Sequence, residues 1–445
     1  MNIEEMKIIV FGAGVTGISS VKALSKLNAK VFLYNSVRDD NYQKALDSLR
    51  GFNFTDIEEV GNINWESIDF VLKSPGIRLD NDFLQLARKN NVEILSDIEV
   101  AYRFFPDLQI LAITGTNGKT TTTSLLSQIL TTAGVKNKVV GNIGIGLLWE
   151  IVENGLDCVY VLEISSFQLA SSPSFRSPIS ALTNISPDHI DWHGSLDDYV
   201  EAKMQITKNQ LASDLLIVNA DDESSTLAKE ITKARVREIS TKAVVDMGSY
   251  CLEEDIFIDG SKSSIKRSDL SLVGQHNVQN MLFALEMAIA FGIAEEKIKE
   301  GIKSFKPIEH RIEPVRELDG VRYYNDSKGT NPDSTIKAIQ GFKEDLILIA
   351  GGYDKKSQYD SLFAGNNHIK LVILFGQTKW DIKEAADRYK VESIICEDLV
   401  SAVKLARQAA EKGDVVLFSP ACASWDMYRN FEERGNHFKN LINEL

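Results

Sequence analysis

The chain has four cysteines, Cys158, Cys251, Cys396 and Cys422, which lie far apart with no C-x-x-C pair among them. That spacing excludes a disulfide framework and a cysteine zinc site, and it suits reduced thiols in the cytosol. Positive charge is also short. Lys and Arg number 49 against 63 Asp and Glu, a net charge of −14. This argues against broad binding to nucleic acid or to an anionic membrane, while leaving room for a local basic cleft. No run of 18 apolar residues occurs, and the polar start Met1-Asn2-Ile3-Glu4-Glu5-Met6-Lys7 leads into a strand pattern with no leader-like segment. A soluble cytoplasmic protein without membrane insertion is expected. Low-complexity tracts and short-period repeats are missing too.

What is there is core material. The 445 residues are 44% hydrophobic and 25% charged. At roughly 150 residues per domain, the length suggests about three domains. Short apolar runs alternate with amphipathic stretches from end to end, the pattern of parallel sheets covered by helices. The fold class expected is α/β in three domains. A Rossmann-like N-terminal domain covers 1–97, and a central P-loop ATPase-like domain with a mainly parallel sheet covers 98–304. A C-terminal Rossmann-like domain covers 305–445. Within 242–269 the alternation is shorter and predicts antiparallel strands. Asn331-Pro332 predicts a helix start, with Asn as the cap and Pro at the first helical position.

The most informative stretch is Ile110-Leu111-Ala112-Ile113-Thr114 followed by Gly115-Thr116-Asn117-Gly118-Lys119-Thr120-Thr121. A buried-type strand runs into a glycine loop, a lysine and hydroxyl residues that begin a helix. Backbone N–H groups and a helix N-terminus can cradle phosphate there, Lys119 supplies a point charge, and a Thr hydroxyl can hold Mg²⁺. The common G-x-x-x-x-G-K-[ST] spacing needs Gly at position 113, where Ile113 stands, so this is a shorter loop.

Nearer the N-terminus, Gly12-x-Gly14-x-x-Gly17 follows one strand and precedes a helix, the place of a Rossmann fingerprint. A nicotinamide site wants an acid at the end of the next strand, and Tyr34-Asn35-Ser36 stands there instead. A diphosphate-bearing nucleotide other than NAD is favoured; packing alone is the other explanation for these glycines.

Several polar groups end strands. Glu163 closes Val159-Tyr160-Val161-Leu162 and suits Mg²⁺, a hard ion that takes oxygen ligands. Asn184-Ile185-Ser186-Pro187-Asp188-His189 ends another strand, so His189 can reach the same edge as a ligand or orienting donor. Asp188 and Asp191 can equally be helix-start acids. Lys203, by spacing alone, is a helix-surface lysine. Further on, Asp326, Lys328 and Thr330 in one loop, Gly351-Gly352-Tyr353-Asp354-Lys355-Lys356 in a second and Ser419-Pro420-Ala421-Cys422-Ala423-Ser424 in a third make a small anionic-ligand site plausible. His310-Arg311 can carry charge to a phosphate.

In order along the chain, GTNGKTT (115–121), GNIG (141–144), LEISSFQL (162–169), NISPDHIDWHG (184–194), EAK (201–203), GQHNVQN (274–280), HR (310–311), NDSKGTN (325–331) and SPACASWDMYRNFEERG (419–435) resemble the Mur ligases. These are ATP-dependent amide-forming enzymes of bacterial peptidoglycan precursor synthesis. The last two motifs resemble the member that adds D-glutamate to UDP-N-acetylmuramoyl-L-alanine; the DNPR- or DDPN-like motifs of the diaminopimelate- or lysine-adding member are missing.

The resemblance implies a set of roles. Lys119, Glu163, His189 and Lys203 are the catalytic candidates. Gly115, Thr116, Asn117, Gly118, Lys119, Thr120 and Thr121, with Asn277, Asn280, Arg311 and Asp326, are expected to bind ATP. Thr120, Glu163, His189 and a carbamylated Lys203 are expected to serve two Mg²⁺ sites. Gly14, Val15, Thr16, Asn35, Ser36, Ser74, Pro75, Gly76 and Asn142 are expected to face the UDP substrate. Lys328, Thr330, Ser424 and Phe431, with Lys355 or Lys356, are expected around D-glutamate. A monomer is expected. Two rivals stand beside this reading: a nicotinamide oxidoreductase, disfavoured by Asn35, and a P-loop NTPase acting as a switch. A folylpolyglutamate synthase-like ligase shares the central fold, but the N-terminal block argues against it.

Overall fold

The computed structural model describes residues 3–272, 274–306, 309–355 and 357–445, leaving aside the side chain of Asp191. Lys356, one of the two lysines expected near D-glutamate, lies outside the described residues. Two compact units divide the chain. One comprises Met1–Asp269 and Gln279–Ser304, the other Leu270–Val278 and Phe305–Leu445.

The first unit holds two sheets. A five-stranded sheet runs in the order Thr55–Asp56, Lys30–Tyr34, Lys7–Phe11, Phe70–Lys73, Glu93–Leu95, all parallel. Alternate residues of its middle strand serve two faces. Ile8 and Val10 enter one buried cluster, and Ile9 and Phe11 another. Both faces are covered, so the strand reads as an unbroken apolar run.

The second sheet has nine strands. Its parallel centre orders Arg235–Ser240, Leu215–Asn219, Ile179–Leu182, Gln109–Thr114, Val159–Glu163 and Asn137–Gly141. The antiparallel structure expected within 242–269 is present as Gly248–Leu252, Asp255–Ile258 and Ser261–Lys266. Helices Val15–Lys26 and Leu147–Asn154 meet over a shared core containing Leu24, Leu147 and Ile151. Each such apolar side chain stabilises the fold by about 1.5–3 kcal/mol relative to exposure.

The second unit carries a six-stranded sheet in the order Glu313–Leu318, Val321–Asn325, Val415–Phe418, Leu346–Ala350, Ile369–Leu374, Ser393–Ile395. The first pair is antiparallel and the rest are parallel. Glu313–Leu318 escaped the sequence reading because an edge strand buries little and alternates weakly. Asn331 caps the Pro332–Ile339 helix as expected, its side chain accepting from Ser334 N.

Asp97, at the first turn of the Asp97–Phe104 helix, is 1% exposed, and its carboxylate accepts from Leu147 N at 3.2 Å. Burial raises its pKa to about 6. The native chain therefore keeps a proton that the unfolded chain has already released. The resulting stability is complete below about pH 4 and is lost as pH rises through 6. The stability of the wild type relative to Asp97→Asn should fall by about 2 kcal/mol between pH 4 and pH 7. Urea denaturation at several pH values measures it; a pH-independent difference contradicts the assignment.

Candidate functional site

Four neighbouring parallel strands of the nine-stranded sheet end at one edge, and each end carries one of the sequence motifs. Ile179–Leu182 leads into Asn184–His189, Gln109–Thr114 into Gly115–Lys119, and Val159–Glu163 ends on Glu163 itself. Asn137–Gly141 leads into Asn142. Ligands of open α/β sheets gather at this carboxyl edge.

The loops are stitched to each other. The Asn184 side chain accepts from Asn117 N at 3.0 Å and donates to Asn117 O at 2.9 Å. Ser186 N donates to Thr116 Oγ1 at 3.0 Å, and that hydroxyl shares a 2.8 Å hydrogen bond with the Tyr199 hydroxyl. Gly118 has φ of +86°, and a Cβ there would stand 2.3 Å from Asn280 Oδ1. The loop thus needs glycine both for its left-handed backbone and for the close approach of the amide.

Lys119 Nζ donates to Gly115 O and Thr116 O, both at 2.8 Å. Lys203 Nζ donates to the same Gly115 O at 2.7 Å. Spacing alone made Lys203 a surface lysine, and the structure corrects this: it is 2% exposed. Its helix is short, and Tyr199, one turn earlier on the same face, is buried with it. Burial first, and the nearby Lys119 charge second, hold the Lys203 amine well below the ordinary lysine range. Two ammonium groups on one carbonyl oxygen repel each other, and this repulsion adds to burial in disfavouring the charged form of Lys203, against the opposing pull of Asp188 and Glu163.

Glu163 is 1% exposed, which sets aside an exposed strand-end role. One carboxylate oxygen accepts from Asn142 Nδ2 at 2.9 Å, and the other, buried, has no hydrogen-bond partner among the described residues. A buried carboxylate oxygen left in that state fits a hard cation. His189 takes a left-handed backbone with φ of +53° and packs its ring against Phe167 at 4.8 Å. Among the described residues no three His, Cys, Asp or Glu side chains gather as a metal cage. Mg²⁺ does not require one, because it keeps waters and takes substrate phosphates as ligands. Of the candidate donors, the Glu163 carboxylate and the Thr120 hydroxyl carry the oxygen that ion takes, and the His189 imidazole nitrogen is the weaker match.

At the edge of the five-stranded sheet a cavity of about 390 Å³ is lined by Gly14, Val15, Thr16, Asn35, Ser36, Ser74, Pro75 and Gly76. The structure therefore brings these residues together, and Asn142 stands apart from them beside Glu163. Asn35 Oδ1 accepts from Ala13 N at 3.1 Å, so the residue in place of the usual acid caps the glycine loop itself. A Cβ on Gly17 would stand 1.8 Å from Gly12 O and one on Gly12 2.6 Å from Ser74 Oγ, so packing also demands these two glycines, whereas a Cβ on Gly14 would meet nothing.

Sequence reasoning did not single out Lys73, the charged end of an otherwise apolar strand. It is 1% exposed and donates to Ser74 O and Pro75 O at 3.3 and 3.2 Å, and burial brings its pKa to about 7. A charge closing a fully buried strand was the available signal.

In the second unit, the three polar loops follow the adjacent strands Val321–Asn325, Val415–Phe418 and Leu346–Ala350. Ser419 Oγ donates to Asp326 Oδ2 at 2.6 Å, Gly351 N to Pro420 O at 2.9 Å and Tyr353 N to Ala423 O at 2.9 Å. Burial raises Asp326 to about 6, against the opposing pull of Ser419 and Arg311. Lys328 Nζ lies 5.2 Å over the Phe431 ring, and Ser424 is buried. Thr330 N donates to Lys328 O at 2.9 Å. Asn277 belongs to this unit and Asn280 to the first. Lys355 is half-buried in the Gly351 loop.

Residues 113–288 match the Mur ligase middle domain, and residues 310–422 match the Mur ligase, glutamate ligase domain. The chain is 41% identical over 456 residues to the UDP-N-acetylmuramoylalanine–D-glutamate ligase of Thermoanaerobacter sp. (strain X514), with 100% of each covered. It is 40% identical over 453 residues to the protein of that name from Clostridioides difficile (strain 630), again with 100% of each covered. Among solved structures it resembles UDP-N-acetylmuramate-alanine ligase of Thermotoga maritima, with a TM-score of 0.63, 20% identity and 99% of each chain covered. It also resembles MurF of Acinetobacter baumannii, with a TM-score of 0.66, 15% identity and coverage of 98% and 93%. At such identity these structures speak for the fold alone.

Gly118→Ala should destabilise the protein by ~1–3 kcal/mol, because the new Cβ meets both a left-handed backbone and the Asn280 amide. Chemical denaturation reads it, and an unchanged midpoint contradicts the geometry.

Proposed function

The chain belongs to the Mur ligase family, and on that premise we propose that it joins D-glutamate to UDP-N-acetylmuramoyl-L-alanine, converting ATP to ADP and phosphate in peptidoglycan precursor synthesis. The observation that carries the reading is the end-to-end likeness, at 41% identity, to chains that bear this activity in their name. The domain limits 1–97, 98–304 and 305–445 form part of the proposal, as do a cytoplasmic location and a monomeric state. Among the described residues no helix is long and apolar enough to cross a membrane.

A carboxylate does not acylate an amine at neutral pH without activation. In the proposed route the L-alanyl carboxylate oxygen attacks the γ-phosphorus of ATP, and the bond to the bridging oxygen breaks to release ADP. The amine of D-glutamate then attacks the acyl phosphate carbon. The tetrahedral adduct expels phosphate, and the amine loses a proton. Carboxylate and ATP are both anions, so bringing them together is the main electrostatic difficulty.

The Gly115–Thr121 loop offers N–H groups to the phosphates, and Lys119 exchanges its two carbonyl acceptors for phosphate oxygen. Asn280, Asn277, Arg311 and Asp326 are assigned to the rest of ATP. Thr120, Glu163, His189 and Lys203 would hold Mg²⁺, which when bound neutralises phosphate charge. A neutral, buried Lys203 amine is the form that adds to carbon dioxide, giving a carbamate and a proton; this turns a cation into an oxygen ligand. The cavity at Gly14–Thr16, Asn35, Ser36 and Ser74–Gly76 is assigned to the UDP group. Lys328, Thr330, Ser424, Phe431 and Lys355 or Lys356 are assigned to D-glutamate.

Phosphate release should require both the nucleotide substrate and D-glutamate, and L-glutamate, L-lysine or meso-diaminopimelate should not replace it. Release without any amino acid would favour a simple NTPase. Lys119→Ala should lower kcat by ~10²–10³, the scale of losing one preorganised charge partner; near wild-type turnover refutes its role. Protein equilibrated with ¹³C-labelled carbon dioxide should give a carbamate carbon resonance that Lys203→Ala lacks, and a resonance that persists in the variant rules out Lys203.

A further inference from the structure

Arg434 lies in the first turns of the closing helix Phe431–Glu444 and is 1% exposed. Its guanidinium makes four hydrogen bonds, all to two loops. Nε donates to Ser327 Oγ at 3.0 Å and Nη2 to Ser327 O at 2.7 Å. Nη1 donates to Cys422 O and Ala423 O, each at 3.1 Å. Ser327 precedes Lys328, and Ala423 precedes Ser424. Ser327 Oγ also donates to Phe431 O at 2.9 Å, which joins the loop to the helix start.

Burial lowers the guanidinium only to about 10, so it stays charged at neutral pH. Among the described residues no carboxylate hydrogen-bonds to it. Four oxygen dipoles satisfy its donors, and the carboxylates of Asp326 and Asp426 offset its charge only through space. A buried cation with no carboxylate in hydrogen-bond contact is costly, and a well-packed apolar side chain would serve stability alone as well or better. The planar fork, in contrast, can bind two loops at fixed separation, which a lysine cannot copy.

We propose that Arg434 is a positioning residue that fixes Lys328 and Ser424 relative to each other and sets a positive charge, only partly offset by Asp326 and Asp426, beneath the amino-acid loops, favouring an anionic amino acid over its neutral amide. This rests on assigning those loops to D-glutamate. The electrostatic part follows from the low dielectric around the group, where one fixed charge acts over several ångströms. The positional part follows from the bond pattern: each loop is held through main-chain oxygens, so loosening the fork frees both loops together.

The test is steady-state kinetics of the full chain, varying D-glutamate, ATP and UDP-N-acetylmuramoyl-L-alanine in turn, with D-glutamine as the competing amine. Arg434→Lys keeps the charge without the fork, Arg434→Met removes both, and Ser327→Ala deletes one acceptor as the mild variant. Arg434→Lys should raise the KM for D-glutamate at least ~10-fold, the scale of losing a hydrogen bond to a charged group, with the other two KM values within about twofold. Ser327→Ala should shift it in the same direction by less. Preference for D-glutamate over D-glutamine should fall further in Arg434→Met than in Arg434→Lys. If Arg434→Met does not fold, the other two variants decide. Variants that lose kcat with the D-glutamate KM unchanged, or that keep wild-type kinetics, overturn the proposal. A wild type indifferent to D-glutamate overturns instead the assignment of the loops.

Discussion

One carbonyl oxygen, that of Gly115, receives the amines of both Lys119 and Lys203. Much of the central site follows from that contact. It brings a lysine of the phosphate-type loop and a lysine of a separate helix within reach of the same atom, in a buried place. Repulsion and desolvation then act on the two amines unequally. Lys203, the fully enclosed one, is driven toward its neutral form.

The contact exists because parallel strands deliver their loops to one edge. Four neighbouring strands supply the glycine loop, Glu163, Asn142 and the Asn184–His189 loop. Hydrogen bonds from Asn184, Ser186 and Tyr199 then hold loop against loop. The same logic recurs in the second unit. Its three polar loops end adjacent strands, and Ser419, Asp326, Pro420 and Ala423 link them. Within each unit, chemistry is concentrated by topology and then stiffened by short polar contacts.

Buried charge marks these places more sharply than composition does. Glu163, Lys203, Asp97, Lys73, Asp326 and Arg434 are all almost wholly enclosed. Their roles divide by partner. One oxygen of Asp97 accepts from Leu147 N and the other has no hydrogen-bond partner among the described residues, while Lys73 donates to the carbonyls of the two residues that follow it. Glu163 keeps an unpartnered oxygen at the strand edge, and Arg434 spreads its donors over two loops. A stability argument alone would replace most of these with apolar residues.

Strands, helix starts and loop identities were legible in the sequence. Apolar runs such as Leu346–Ala350 have one local meaning when both faces are covered, and Asn331-Pro332 is a local capping signal. The phosphate-type loop was legible for the same reason, since glycine, lysine and hydroxyl spacing acts within one turn of chain. The sequence by itself thus determined the α/β alternation and the list of polar loops. Tertiary structure alone decided that Lys203 is buried rather than on a helix surface, that Asn35 caps the glycine loop, and that Arg434 ties Ser327 to Cys422 and Ala423. Those outcomes depend on contacts between residues far apart in the chain, and on the desolvation such contacts impose. Spacing along the chain carries no record of either.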